Sequence, residues 1–129
     1  MSDKFTVEII SPDRSIIKED TTEVIIPAYE GEMGILKDHI PLITFLRPGK
    51  IKIKDINEEF FVEDGIVEFK DNNLSILTSS IYNMSDLDNN KIDQIVKEAE
   101  KESSVDNIDD QKRYLIDQKI EVLKNISLN

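Results

Sequence analysis

The chain has 129 residues, 39% hydrophobic and 33% charged, enough for one ordinary domain, or one compact domain with a small appendage. Its net charge of −11 argues against nucleic acid, whose phosphates reward clustered Lys and Arg, and against direct electrostatic binding to a membrane surface. With no cysteine and one histidine, neither disulfides, thiol catalysis nor a zinc site is expected. No apolar run approaches the ~20 residues of a membrane span. The opening MSDKFTVEII has the look of neither a signal peptide nor a transit peptide.

From Phe5 to about Ile81 the pattern is one of short strands. Lys50-Ile51-Lys52-Ile53-Lys54 alternates strictly, which predicts a strand with one buried face. Val24-Ile25-Ile26, Phe60-Phe61-Val62 and Leu74-Ser75-Ile76-Leu77 are β-branched or aromatic runs of strand length. Turn signals separate them at Ser11-Pro12-Asp13, Pro48-Gly49, Asp55-Ile56-Asn57, Asp64-Gly65 and Asp71-Asn72-Asn73. Turns at this spacing predict a β-sandwich or barrel, not a parallel sheet with crossover helices.

Tyr29 to Gly49 holds three of the four glycines, two of the four prolines and the only histidine. Gly31 and Gly34 permit backbone angles closed to other residues, while Pro41 and Pro48 fix φ and remove a donor. Ile35, Leu36, Ile40, Leu42, Ile43, Phe45 and Leu46 lie between them, too apolar for a solvated loop. The stretch is read as a shaped, partly apolar surface built on turns, better suited to a protein partner than to a small substrate. It is not a phosphate loop, since no Gly-Lys-Ser/Thr follows the glycines.

After Tyr82 the period changes to that of helices. Ser85 with Asp88 marks a helix start of capping-box type, and Ile92, Ile95, Val96 and Ala99 follow as a narrow apolar stripe. A polar break from Glu102 to Asn107 precedes a second run, in which Ile108, Leu115, Ile116, Ile120, Val122, Leu123 and Ile126 gather on one side. The expected architecture is mainly β plus α: an N-terminal β-sandwich over 1–84 and an antiparallel two-helix hairpin over 85–129. Such a hairpin buries few side chains against the entropy of ordering it, so it needs a further surface.

No Ser/His/Asp order, HExxH or Gly-rich nucleotide loop appears, so no catalytic residues and no enzymatic activity are expected. Asp86-Leu87-Asp88-Asn89-Asn90 lacks the later Gly and Glu of a calcium loop and reads as a helix cap; no metal or cofactor is expected. His39 has no nucleophile or orienting group nearby in sequence and reads as a packed or interface histidine. By residues alone, Glu30 and Glu32 are solvated charges. A free-standing β-sandwich binding module, with the helices as a lid, stays open on this ground.

Several ordered segments carry a resemblance. Gly31-Glu32-Met33-Gly34-Ile35-Leu36, then His39-Ile40-Pro41-Leu42, then Pro48-Gly49 are similar to a G-E-x-G-I-L/Y-x-x-H-x-P-L block running into a P-G turn. Together with FTVEIISPDRSIIKED, GIVEFKDNNLSILTSS and the helical tail, they resemble the epsilon-subunit family of the F-type rotary ATP synthase over essentially the whole chain. That resemblance implies a non-catalytic central-stalk subunit, peripheral on the cytoplasmic face of the bacterial inner membrane. It implies a gamma-subunit interface at His39, Ile40, Pro41 and Leu42. It also implies a c-ring interface at Glu32 and, more loosely, Glu30, in a turn presented between glycines. The helical hairpin would fold on the sandwich, or extend along gamma toward the catalytic alpha/beta head and restrain ATP hydrolysis.

Ile108-Asp109-Asp110-Gln111-Lys112-Arg113 partly matches the Ile/Leu-Asp-x-x-Arg-Ala motif by which some of these subunits bind ATP. Lys112 stands where the Arg belongs and Arg113 where a small residue belongs. Lys lacks the planar fork that grips phosphate, so nucleotide binding through Asp109, Lys112 and Arg113 is not expected.

Overall fold

The computed structural model describes residues 3–105 and 107–127, and divides into two compact units, Met1–Met84 and Ser85–Asn129. In the first unit the described residues form ten strands: β1 (Phe5–Ser11), β2 (Arg14–Thr21), β3 (Glu23–Ala28), β4 (Gly31–Leu36), β5 (Leu42–Leu46), β6 (Gly49–Ile53), β7 (Glu58–Val62), β8 (Gly65–Lys70), β9 (Asn73–Leu77) and β10 (Ile81–Asn83). They pair in the order β10-β7-β6-β3-β5-β8-β9-β1-β2, with β4 on β3. All neighbours are antiparallel except β1 and β9, which run parallel and join the start of the unit to its last hairpin. β3 joins the two halves of the sandwich: Val24 and Ile25 pair with β6, and Ala28 pairs with Leu46 of β5.

Alternation decides which side chains face inward. β1 buries Phe5, Val7 and Ile9 and turns Thr6, Glu8 and Ile10 outward; β6 buries Ile51 and Ile53 between half-buried lysines. With Val24, Ile26, Val67, Phe69, Leu74 and Ile76 they form one core. The β8–β9 connection is a two-residue turn, Asp71-Asn72, with φ of +51° and +61°. That is the primed hairpin geometry whose twist suits flanking strands, and Asn and Asp tolerate it. At Gly49 a Cβ would sit 2.6 Å from Cβ of Pro27, so glycine permits the crossing in which the Arg47 N–H donates to the Pro27 carbonyl at 3.0 Å.

The stretch read as turns is largely strand. β4 and β5 account for Gly31–Leu36 and Leu42–Leu46, leaving a hairpin turn at Tyr29-Glu30 and a connection over Lys37–Pro41. Gly31 has φ of +132°, but Gly34 has no positive φ and lies opposite Ile25 in the ladder. A glycine in an edge strand and one in a turn read alike in sequence, because neither carries a side chain to reveal which face is buried.

The second unit holds α1 (Asn89–Ser103) and α2 (Asp110–Ser127), a helical hairpin. α1 begins later than the expected start at Ser85, which lies in a 3-10 turn over Met84–Asp86. Asp88 is the cap, its Oδ1 accepting from the Lys91 N–H at 2.7 Å and satisfying a donor that the helix leaves unpaired. α1 buries Ile92, Ile95, Val96 and Ala99, the stripe expected from its spacing; α2 buries Ile116 and Leu123.

Candidate docking surface

The β4–β5 connection is small and tightly held at its base. The His39 N–H donates to the Leu36 carbonyl at 3.1 Å, and the imidazole meets Phe69 edge-on with centroids 5.9 Å apart. Nδ1 of His39 lies 2.8 Å from the Ile40 carbonyl oxygen, a hydrogen-bond distance when that nitrogen carries the proton. Asp38 has φ of +65°; its N–H donates to Oδ1 of Asn72 at 2.7 Å, and Nδ2 of Asn72 donates to Oδ1 of Asp38 at 3.0 Å. Beyond this base the tip stands clear, with Ile40 74% exposed and Pro41 also exposed.

The four residues assigned to a gamma interface therefore divide. Ile40 and Pro41 form the accessible tip. Leu42 is half-buried against the core, opposite Phe69, and His39 is half-buried beside the same ring. Leu42 and His39 seat the tip; Ile40 and Pro41 are what a partner would meet.

The surface extends well past this segment. On β5, Ile43 is 71% and Phe45 56% exposed, while Leu46 faces the core. Phe45 is in register with Ile66 of β8, and Ile66 with Leu77 of β9, both exposed, giving an apolar row across three strands. Tyr29 continues it with its ring 6.4 Å from that of Phe45. A groove of about 500 Å³ runs beside the row, its lining including Pro12, Tyr29, Phe45, Ile66 and Leu77. Large apolar side chains lined up outside a sheet leave contiguous apolar surface wet, which in soluble proteins marks an interaction site. The signal was available: Leu-Ile-Thr-Phe-Leu is apolar on both faces of a strand that the core covers on one.

Glu30 lies in the β3–β4 turn and Glu32 on β4 opposite Pro27, both exposed. Glu32 is thus displayed from a strand edge, not from a turn between glycines. Both lie toward the opposite end of β4 from the Ile40 tip, Glu32 about 13 Å and Glu30 about 20 Å from Leu36 along the strand at ~3.3 Å per residue.

In the hairpin, Asp109 accepts from the Gln111 N–H at 2.8 Å, acting as a cap for α2. Nη2 of Arg113 donates to the Val105 carbonyl at 3.4 Å. Lys112 lines a surface cavity of about 480 Å³ together with Glu102, Val105, Asn107, Ile108 and Asp109. One ammonium between two carboxylates makes this a poor receptor for a triphosphate.

A β-sandwich with a long apolar outer face, carboxylates at one end and a helical pair behind it in sequence is built to dock within a larger assembly. The model of the ATP synthase delta/epsilon chain β-sandwich domain matches residues 4–84. The ATP synthase epsilon chain of Pelagibacter ubique is 56% identical over 130 aligned residues, covering 98% of this chain and all of that one. That of Sinorhizobium medicae is 29% identical over 98% of this chain and 95% of its own. Among solved structures, a chain of the Euglena gracilis mitochondrial ATP synthase (OSCP/F1/c-ring) superposes with a TM-score of 0.76 at 20% identity, covering 99% of this chain and 82% of that chain. A chain of the Tetrahymena thermophila mitochondrial ATP synthase central stalk and c-ring gives 0.71 at 15%, over 95% of both. This chain belongs to the ATP synthase delta/epsilon family. Its members are structural stalk subunits and not the catalytic ones, and among the described residues no helix is long and apolar enough to cross a membrane.

Proposed function

We propose that the chain is a rotor component of a proton-translocating ATP synthase, coupling rotation of the c-ring to the catalytic head. The β unit docks on gamma through Ile40, Pro41 and the β5 face, and on the c-ring through the end that carries Glu30 and Glu32. The Ile40 tip and the Glu30 turn lie at opposite ends of β4, so one folded unit can present both to different partners. The hairpin reaches toward the alpha/beta head when extended and restrains ATP hydrolysis there. Association with the membrane is peripheral and indirect, through the complex, on the cytoplasmic face of the bacterial inner membrane.

The observation that carries the gamma assignment is the exposed apolar run Ile40, Ile43 and Phe45, continued by Ile66 and Leu77. Ile40 is the probe of choice, because a side chain 74% exposed contributes little to folding. Ile40→Asp places a charge where an apolar contact closes, costing about 2–4 kcal/mol of gamma binding. Binding of the full chain to its gamma subunit should fall by roughly 30- to 1,000-fold, with the melting temperature unchanged. Wild-type affinity in that variant would overturn the assignment.

A further inference from the structure

We propose that Asn72 is a positioning residue for gamma docking: from the β8–β9 turn its carboxamide clasps residue 38 and holds the Ile40-Pro41 tip ready to bind. This rests on the reading of that tip as a gamma contact. The tip belongs to a five-residue connection that buries almost nothing of its own, so its conformation depends on what grips its base. Two hydrogen bonds do so from 34 residues away: Asp38 N–H to Oδ1 of Asn72 at 2.7 Å, and Nδ2 of Asn72 to Oδ1 of Asp38 at 3.0 Å. They are reciprocal, so the carboxamide commits its oxygen and one of its two N–H donors to one residue.

The gripping residue is itself fixed. Asn72 lies in a two-residue turn between paired strands, and its carbonyl accepts from the Thr6 N–H of β1 at 3.1 Å. The connection is therefore tied to a base of three strands, β8, β9 and β1. Residue 72 needs φ of +61°, which Gly, Asn and Asp tolerate best. Of these, Asn alone offers an acceptor for the Asp38 N–H together with a donor for the Asp38 carboxylate. Asp at 72 would set two carboxylates against each other, and Gly would offer nothing. Residue 38, with φ of +65°, tolerates Asn as well as Asp, so the pair can be exchanged without changing either backbone.

A tip held in its bound shape loses less freedom on docking, so releasing it weakens binding without removing a contact. The test uses the full chain and its gamma subunit, measuring association and dissociation rates together with amide exchange in the free chain. Asn72→Asp should speed exchange at Asp38 and His39 and weaken gamma binding about tenfold, a magnitude typical of lost preorganisation. The exchanged pair, Asp38→Asn with Asn72→Asp, restores one donor and one carboxylate and should return both readouts to within about twofold of wild type. Should Asn72→Asp fail to fold, Asn72→Gly keeps the backbone, removes the clasp and is expected to weaken binding in the same direction.

If Ile40→Asp abolishes binding while Asn72→Asp and Asn72→Gly bind like wild type, the positioning role is overturned and the gamma surface stands. If Ile40→Asp also binds like wild type, the gamma surface and the positioning role fall together. An exchanged pair that folds normally yet binds no better than Asn72→Asp alone likewise overturns the clasp.

Discussion

In the β unit, sixteen apolar side chains at 3% exposure or less form one cluster drawn from strands far apart in sequence, whereas among the described residues the buried side chains of the helical unit are Ile92, Ile95, Val96, Ala99, Ile116 and Leu123. The β ladder joins residues tens of positions apart, such as Thr6 with Asn73, so no strand pair opens without loss elsewhere. Helical hydrogen bonds are local, and their caps, Asp88 and Asp109, bond within three residues. The exposed Lys124–Glu100 pair, 3.8 Å apart, adds little. Burial of this kind predicts a rigid platform in the first unit and low local stability in the second.

The sharpest way to break that contrast is to cut at it. A fragment of residues 1–84 should keep the β fold and melt cooperatively, because the sixteen-residue cluster lies wholly within it. Residues 85–129 alone should be mostly unfolded, since helices of 15 and 18 residues with so narrow a buried stripe are marginal in water. Far-ultraviolet circular dichroism of the two fragments decides it. A strongly helical, cooperatively melting tail would mean that the helices support each other unaided.

A smaller and more local effect tests how the platform holds its surface. Phe69 is 1% exposed, packs edge-on to Phe5 at 5.6 Å and meets the His39 ring edge-on at 5.9 Å. Phe69→Ala leaves a cavity at the junction of core and docking loop, costing about 3–5 kcal/mol. Urea unfolding of fragment 1–84 should show that loss as a lower midpoint. An unchanged midpoint would mean that the core is less continuous than its burial indicates.

Much of this was legible in the sequence where one face of an element is wet and the other dry. Lys50–Lys54 declared its buried face by strict alternation, and Ile92, Ile95, Val96 and Ala99 declared a helical stripe by period. β4 and β5 were hidden for opposite reasons. Gly31 and Gly34 give β4 too few side chains to show a period, and β5 is apolar on both faces because its outer face forms the proposed docking surface. The row Phe45–Ile66–Leu77 and the Asp38–Asn72 pair were illegible because their partners are brought together by strand register alone. Thr78 is similar: a buried threonine donating to the Asp64 carbonyl at 2.7 Å, 14 residues away, has no local pattern.

The smallest expected effect concerns whether a ligand can lend the helical unit the stability it lacks. ATP bound to the folded hairpin alone would stabilise it by mass action, raising its melting temperature in proportion to the logarithm of concentration above Kd. The Ile/Leu-Asp-x-x-Arg-Ala motif needs a guanidinium at the position of Lys112, and a single ammonium cannot offer the bidentate fork. Arg113 is one residue on, turned by ~100° around the helix, and its guanidinium donates to the Val105 carbonyl instead. Asp109 is committed to the α2 N-terminus, and with Glu102 it sets negative charge around the cavity that Lys112 lines. Millimolar ATP should therefore leave the thermal unfolding of the full chain unchanged. A melting temperature that climbs with the logarithm of ATP concentration, in a rise that Lys112→Ala abolishes, would show that nucleotide binds here and lends the helical unit order.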